Sequence, residues 1–160
     1  MGVQELKRGA VLLLLYPDRG EPSIVLTKRT DKVAVHKGEV SFPGGAVEPS
    51  DESLLAAALR ETKEELGIDA STVMVLGRLD DQYTYGSCFV VSPFVAFSPQ
   101  PPAFDPDPFE VAEAFAAPLN ALLQPGVFHE EDWMIDGQAR LVGYFVVGKH
   151  QIWGATARIL

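Results

Sequence analysis

Arg60-Glu61-Thr62-Lys63-Glu64-Glu65 is the stretch on which the reading of this chain turns. At about 100° per residue, with Arg60 at zero, Glu61 falls near ~100°, Glu64 near ~40° and Glu65 near ~140°. Three carboxylates thus share one face at the i, i+3 and i+4 spacing of helical neighbours. Leu55, Leu59 and Leu66 cluster on a different side, so the pattern predicts a helix that packs through its leucines and displays its acids. Like charges at that spacing repel, and a hard dication is a physical reason to keep them, since magnesium takes oxygen ligands from a few carboxylates and from substrate phosphates. Arg60, four residues before Glu64, is placed to hold that carboxylate. On spacing alone a solvated face is the commoner outcome of a charge run.

Position favours a site. The predicted helix, Ser53 to Leu66, follows the sharp loop Phe42-Pro43-Gly44-Gly45, and glycines let a backbone approach a ligand or a carboxylate closely. Pro49-Ser50-Asp51 offers cap chemistry at its start and Gly67 closes it. Upstream, Ala10–Tyr16 reads as a buried strand, Pro17 to Pro22 as a turn, Ile24–Lys28 as a second strand and Thr30 to Glu39 as irregular. Downstream, Val73–Leu79 and Phe89–Phe97 read as strands, the latter pushed by Pro93 toward a sheet edge or a bulge. Gln100 to Pro108 holds four prolines and reads as a surface loop that borders a site. Glu110–Phe115 and Leu119–Leu123 read as short helices. Asp136-Gly137 marks a hairpin between Asp132–Ile135 and Arg140–Val147, and Gln151–Leu160 reads as a helix. Helices at the middle and end among strands give an α/β or α+β sandwich.

The whole chain sets bounds on partners. It has 160 residues, which suits one domain, and a formal net charge of −9, which disfavours non-specific binding to nucleic acid or anionic membranes. A phosphate-bearing substrate then needs local cations. Arg29, Lys32, His36 and Lys37, with Lys28, form the basic cluster just ahead of the glycine loop and are candidates for that contact, against a plain solvated loop. No apolar run reaches the ~20 residues of a membrane helix, and the first residues lack a signal-peptide layout. The lone Cys88 reads as a small strand residue in a reducing compartment, consistent with the cytoplasm. His129 and His150 lack partners at metal-ligand spacing. Trp133, Trp153 and Phe145 read as core in preference to stacking platforms.

These segments together resemble the Nudix hydrolases. Glu52, seven residues, Arg60-Glu61, Glu64-Glu65, Gly67 and Ile68 match that family's box, with Thr62 in place of an aliphatic residue. Six residues, not five, separate Gly45 from Glu52, which resembles the coenzyme A pyrophosphatase branch. Val25-Leu26-Thr27-Lys28-Arg29 with Gly38 and Phe42-Pro43-Gly44-Gly45 resembles that branch's upstream signature, and Ile152–Ala157 resembles its closing helix. Thr30 and Ala34 depart from the signature, Ala34 standing where an Arg is expected.

The resemblance implies a Nudix-type α/β/α sandwich with a mixed central sheet, spanning 1–160 as one domain. It implies that Glu61, Glu64 and Glu65 carry Mg²⁺ or Mn²⁺, with Arg60 completing the catalytic set. The metal would neutralise the diphosphate and a bound water would attack phosphorus. The arm Arg29, Lys32, His36, Lys37, Gly44 and Gly45 would bind substrate. Glu52 is expected to support the helix start and Arg60. Glu110 and Glu113 are the candidates for a further carboxylate, although a helix-surface role is the commoner one. The implied substrate is coenzyme A or a derivative, cut to 3′,5′-ADP and 4′-phosphopantetheine. The alternatives are another nucleotide pyrophosphate, such as ADP-ribose, NADH or a nucleoside triphosphate, and a non-catalytic ligand sensor. A homodimer is left open.

Overall fold

The computed structural model describes residues 5–34, 37–84 and 87–160. The apolar run at the start forms β1 (Lys7–Asp18), which turns at Arg19-Gly20 into β2 (Glu21–Arg29). These two strands pair only at the turn end, from Leu15↔Ile24 to Asp18↔Glu21. Beyond that they part. Two short strands, β3 (Val40–Ser41) and β4 (Gly44–Ala46), occupy the gap, β3 on β2 and β4 on β1. The glycine loop is thereby wedged into the open end of the sheet.

The helix α1 (Leu54–Leu66) follows. Its cap is Ser53, whose Oγ accepts from Ala56 N–H at 3.0 Å, so the cap lies three residues later than Ser50. Gly67 ends it at φ 70°, donating to the Lys63 carbonyl. The sheet continues through β5 (Met74–Arg78), β6 (Gln82–Tyr83), β7 (Phe89–Phe97) and β8 (Val111–Pro118). The main path runs β3-β2-β1-β7-β5, and β1 lies parallel to β7 while its other neighbours are antiparallel. The sheet is therefore mixed, as expected.

A short helix α2 (Leu119–Leu122) leads to a second sheet of β9 (Phe128–Ile135), β10 (Gln138–Val147) and β11 (His150–Ile152), and α3 (Gly154–Ile159) closes the described fold. Alternation along the strands gives the main sheet two apolar faces. Ala10, Leu12, Leu14 and Val25 pack under Ala57, Ala58 and Leu66 of α1. Leu13, Ile24, Leu26 and Phe42 pack under Ile152 and Ala157, with Phe145 beside them. The result is an α/β layered fold whose far layer is α3 with the small sheet. No helix among the described residues is long and apolar enough to cross a membrane.

Four expectations need correction. Val111–Pro118 is a strand, because it pairs with β2 from Ser23↔Pro118 to Arg29↔Val111, and that pairing overrides its alanine-rich helix propensity. Pro93 lies inside the sheet, opposite Val11 on one side, with Leu79 N–H donating to its carbonyl on the other. The β5 ladder ends at Phe94 and β6 resumes at Val91, so the position lacking an N–H faces a break in its partner. The final helix starts at Gly154, after β11 has taken His150–Ile152. Trp133 and Trp153 sit outside both core clusters, half-buried and edge to face at 5.6 Å.

Candidate active site

The splaying of β1 and β2 brings two glycines against the acids of α1. A Cβ on Gly44 would lie 2.3 Å from the Ala10 carbonyl oxygen, so only glycine fits beside β1. A Cβ on Gly45 would lie 2.6 Å from Cδ of Glu61. Gly44 N–H donates to Oε2 of Glu65 at 3.4 Å. The glycine loop thus accepts the carboxylates into space that any side chain would fill.

The face α1 buries extends beyond the leucine stripe. Ala57, Ala58, Thr62, Glu65 and Leu66 are its buried residues, while Leu55 and Leu59 are only partly covered. The packing face is rotated toward the acids because the alanines let α1 approach the sheet. Glu65 is accordingly 3% exposed, not displayed to solvent. Thr62, the residue that departs from the aliphatic pattern, satisfies its hydroxyl by donating to the Ala58 carbonyl at 2.7 Å.

A third carboxylate arrives from outside the helix. Asp105 N–H donates to the Leu66 carbonyl at 2.8 Å and Asp107 N–H to the Glu65 carbonyl at 2.9 Å. The proline-rich segment thereby satisfies carbonyls that the end of α1 leaves free. That docking carries Glu110 to the acids, and Thr30 N–H fixes it by donating to the Glu110 carbonyl at 3.0 Å. Glu61, Glu65 and Glu110 each present an oxygen within 4.8 Å of the others. Glu113 is elsewhere, paired with Lys149 at 3.2 Å and His150 at 3.4 Å.

Arg60 organises the flank. Its Nε and Nη2 fork onto Asp51 at 2.8 and 2.9 Å, Nη2 also reaches the Ala46 carbonyl, and Nη1 reaches Glu61 at 3.1 Å and Glu64 at 3.2 Å. The Arg60–Glu64 contact is the one expected from spacing. The anchor is Asp51, 4% exposed in its side chain, whereas Glu52 is exposed. The anchor of Arg60 is thus Asp51 and not the Glu52 that the sequence leads one to expect. The fork holds the Asp51 carboxyl down to about 2. Glu64, with 54% of its side chain exposed, stays outside the Glu61–Glu65–Glu110 group.

Burial pushes the Glu65 carboxyl up to about 8; the neighbouring Glu61 charge adds to this, and Arg29 and the Gly44 N–H oppose it. Glu61 is also raised, by burial first. Among the described residues Arg29 Nε is a buried side-chain nitrogen without a hydrogen-bond partner. Lys28, Arg29 and Lys32 line a cleft of about 540 Å³. Lys28 and Lys37 line a second of about 390 Å³ with Lys149, His150 and Trp153. His36 lies outside the described residues. His129 stacks on Tyr144 and buried His150 stacks on Phe115, and among the described residues neither belongs to a group of three metal-type ligands.

A paired-carboxylate helix under a glycine loop is the arrangement the box pattern described, and the model of the NUDIX domain matches residues 6–136. The chain belongs to the Nudix family. It is 37% identical over 153 residues to the Nudix hydrolase NudL of Photorhabdus laumondii, covering 96% of this chain and 81% of that one. The NudL of Yersinia pestis is 38% identical over 154 residues, covering 96% and 76%. The crystal structure of the Nudix hydrolase RenU from M. smegmatis superposes with a TM-score of 0.61 at 23% identity, over 76% of this chain and 78% of that one, and so shares the fold.

The Nudix donor set fits a hard dication. Every ligand offered is an oxygen, two of the three come from one helix, and the Gly45 side leaves room for Glu61. Glu110 is a candidate from sequence, although a helix-surface role is the commoner one for such a residue. The signal that could have promoted it is the docked proline-rich segment immediately before it. Asp51 had a clearer one: five residues separate it from Gly45, the spacing at which the box places its first acid.

Proposed function

We propose that this Nudix pyrophosphohydrolase acts with Mg²⁺ or Mn²⁺ on coenzyme A or its derivatives, giving 3′,5′-ADP and 4′-phosphopantetheine or its acyl form. Glu61 and Glu65 hold the ion in this reading, with Glu110 from the loop and Glu64 from the exposed side of α1. When bound, the ion supplies positive charge against the diphosphate. Arg60, anchored by Asp51, positions Glu61 and Glu64. The Gly44 N–H bond to Glu65 and the close approach of Gly45 to Glu61 keep the two carboxylates oriented, so little reorganisation is needed when substrate enters. The lone Cys88 suits a reducing, cytoplasmic setting.

The observation that carries the reading is a juxtaposition at the end of β2. Arg29 acts on the Glu65 carboxylate, while Lys28, one residue earlier, lines both clefts. A diphosphate at the acids therefore has an arginine beside it and lysines within the next cleft. Coenzyme A is favoured over other diphosphates by the six-residue spacer, the Leu26–Arg29 segment and the Ile152–Ala157 segment. Its 3′-phosphate needs a cation, and with Ala34 in place of an arginine, the lysines that line the two clefts supply it as point charges.

The test is a product assay with Mg²⁺ across coenzyme A, dephospho-coenzyme A, ADP-ribose, NADH and nucleoside triphosphates. A charge-assisted contact of ~1.5–3 kcal/mol makes kcat/KM for coenzyme A about 10- to 150-fold higher than for dephospho-coenzyme A. Equal values, or a preference for ADP-ribose, overturn the substrate and leave the acid site standing.

A further inference from the structure

We propose that the cleft between Lys37 and Lys149 is a subsite for an aromatic base whose sugar carries a 3′-phosphomonoester. Trp153 is its stacking surface and Lys149 its phosphate-reading residue. This rests on the coenzyme A reading and adds a place for the 3′-phosphoadenosine end.

The volume, about 390 Å³, is that of a small-ligand pocket. The lining is unlike the rest of the molecule. Lys28, Lys37 and Lys149 converge there, with Glu39 as the acid among the lining residues, on a chain whose net charge is −9. Among the described residues neither Lys28 nor Lys37 makes an ion pair, so their charge is available to an anion. Lys149 sits in the turn between β10 and β11, 74% exposed, leaning on Glu113 at 3.2 Å. An exposed pair of this kind contributes little, and a phosphate can take the ammonium from it.

The aromatic wall is held in place. Trp153 follows β11 directly and meets Trp133 edge to face at 5.6 Å, while Trp133 in turn contacts Tyr144 at 5.4 Å. A ring locked in this way loses little freedom when a base stacks on it, and such stacking is sequence-tolerant and favourable. Gln151, also on the lining, offers an amide to the edge of a base.

The topology connects this cleft to the acids. Successive side chains of a strand point to opposite faces, so Arg29 belongs to the α1 face and Lys28 to the face of β11 and α3. Lys28 also lines the larger cleft with Arg29. A ligand with its diphosphate at Glu61 and Glu65 can therefore bend around the end of β2 and lay its base on Trp153. A nucleotide without the 3′-phosphomonoester would use Trp153 and leave Lys149 unread.

The experiment is calorimetric titration of the full-length protein in Mg²⁺ with 3′,5′-ADP and with 5′-AMP, neither of which carries a diphosphate to cut. Wild type is expected to bind 3′,5′-ADP about tenfold tighter, the size of one charge-assisted contact. Lys149→Ala removes most of that difference and leaves 5′-AMP unchanged. Trp153→Leu weakens both. Glu113→Gln, which frees Lys149, tightens 3′,5′-ADP, an effect that damage to the fold does not produce. Lys149 is at an exposed turn, and an unchanged melting temperature verifies that its variant folds. Equal affinities in wild type, or a wild-type ratio in Lys149→Ala, overturn the subsite. Turnover of coenzyme A is measured separately: its absence in wild type refutes the substrate reading, while the binding comparison still decides the subsite.

Discussion

The carboxylate of Glu61 stands where a side chain on Gly45 would begin, its Cδ 2.6 Å from the position of that missing Cβ. Gly45→Ala is therefore expected to push Glu61 aside while leaving the buried layers intact. Turnover should fall by about 100-fold or more, a loss typical of a misplaced catalytic group, with a small change in melting temperature. Near wild-type kcat/KM for Gly45→Ala would show that Glu61 does not need this space.

Glu65 links stability to pH in the metal-free protein. The folded carboxyl keeps its proton up to about 8, whereas the unfolded chain releases it near 4.5. The folded state thus binds more protons between these values, and stability falls as pH rises through that window. Urea denaturation in EDTA should show a loss on the order of a few kcal/mol from pH 5 to pH 8. Glu65→Gln should flatten the curve, raise metal-free stability at pH 8 and abolish turnover. A metal-free stability that rises with pH in wild type would contradict the burial of this acid.

Asp51 and Glu52 can be told apart directly. Asp51→Asn removes the fork that fixes Arg60, so the melting temperature should drop and activity with it. Glu52→Gln, at an exposed position, should leave both unchanged. Asp51 also has the opposite pH sign from Glu65. Its carboxyl is held down to about 2, so its contribution is present above 3.8 and lost as pH falls through about 2. Equal melting temperatures for the two variants would refute the assignment.

Metal dependence separates Glu110 of the loop from Glu113 of β8. EDTA should abolish activity, and Mg²⁺ or Mn²⁺ should restore it. Glu110→Gln should raise the Mg²⁺ concentration for half-maximal activity by about tenfold or more, the scale for groups at a metal site. Glu113→Gln should not. Identical Mg²⁺ curves for wild type and Glu110→Gln would remove Glu110 from the site.

The buried hydroxyl of Thr62 is already bonded to the Ala58 carbonyl, which also accepts from the helix. Thr62→Val keeps the shape and removes donor and contact together, so stability should stay within about 1 kcal/mol of wild type and kcat should be unchanged. A large loss of stability in chemical denaturation would mean the hydroxyl does more than satisfy itself.

Much of this was legible in sequence because it depends on spacing along one element. The helix from Ser53 to Leu66, the glycine loop ahead of it and the hairpin at Asp136-Gly137 are local patterns. What failed depends on partners distant in the chain. Val111–Pro118 has the composition of a helix and becomes a strand only because β2 offers it a full ladder. The rotation of α1 that buries Glu65 comes from two alanines meeting the sheet, which the leucine stripe does not disclose. Glu110 joins the acids through backbone contacts of the preceding loop, which leave no side-chain signature.

That loop follows a simple rule of arrangement. Prolines stand at 101, 102, 106 and 108, while the two amides that grip the end of α1 belong to 105 and 107. Proline has no N–H to give, so the stiff residues and the gripping residues must alternate as they do. Moving a single proline by one place, as in Asp107→Pro with Pro106→Asp, keeps the composition and removes a fastening. The information here is the order of residues that can donate, and the position of Glu110 is its readout.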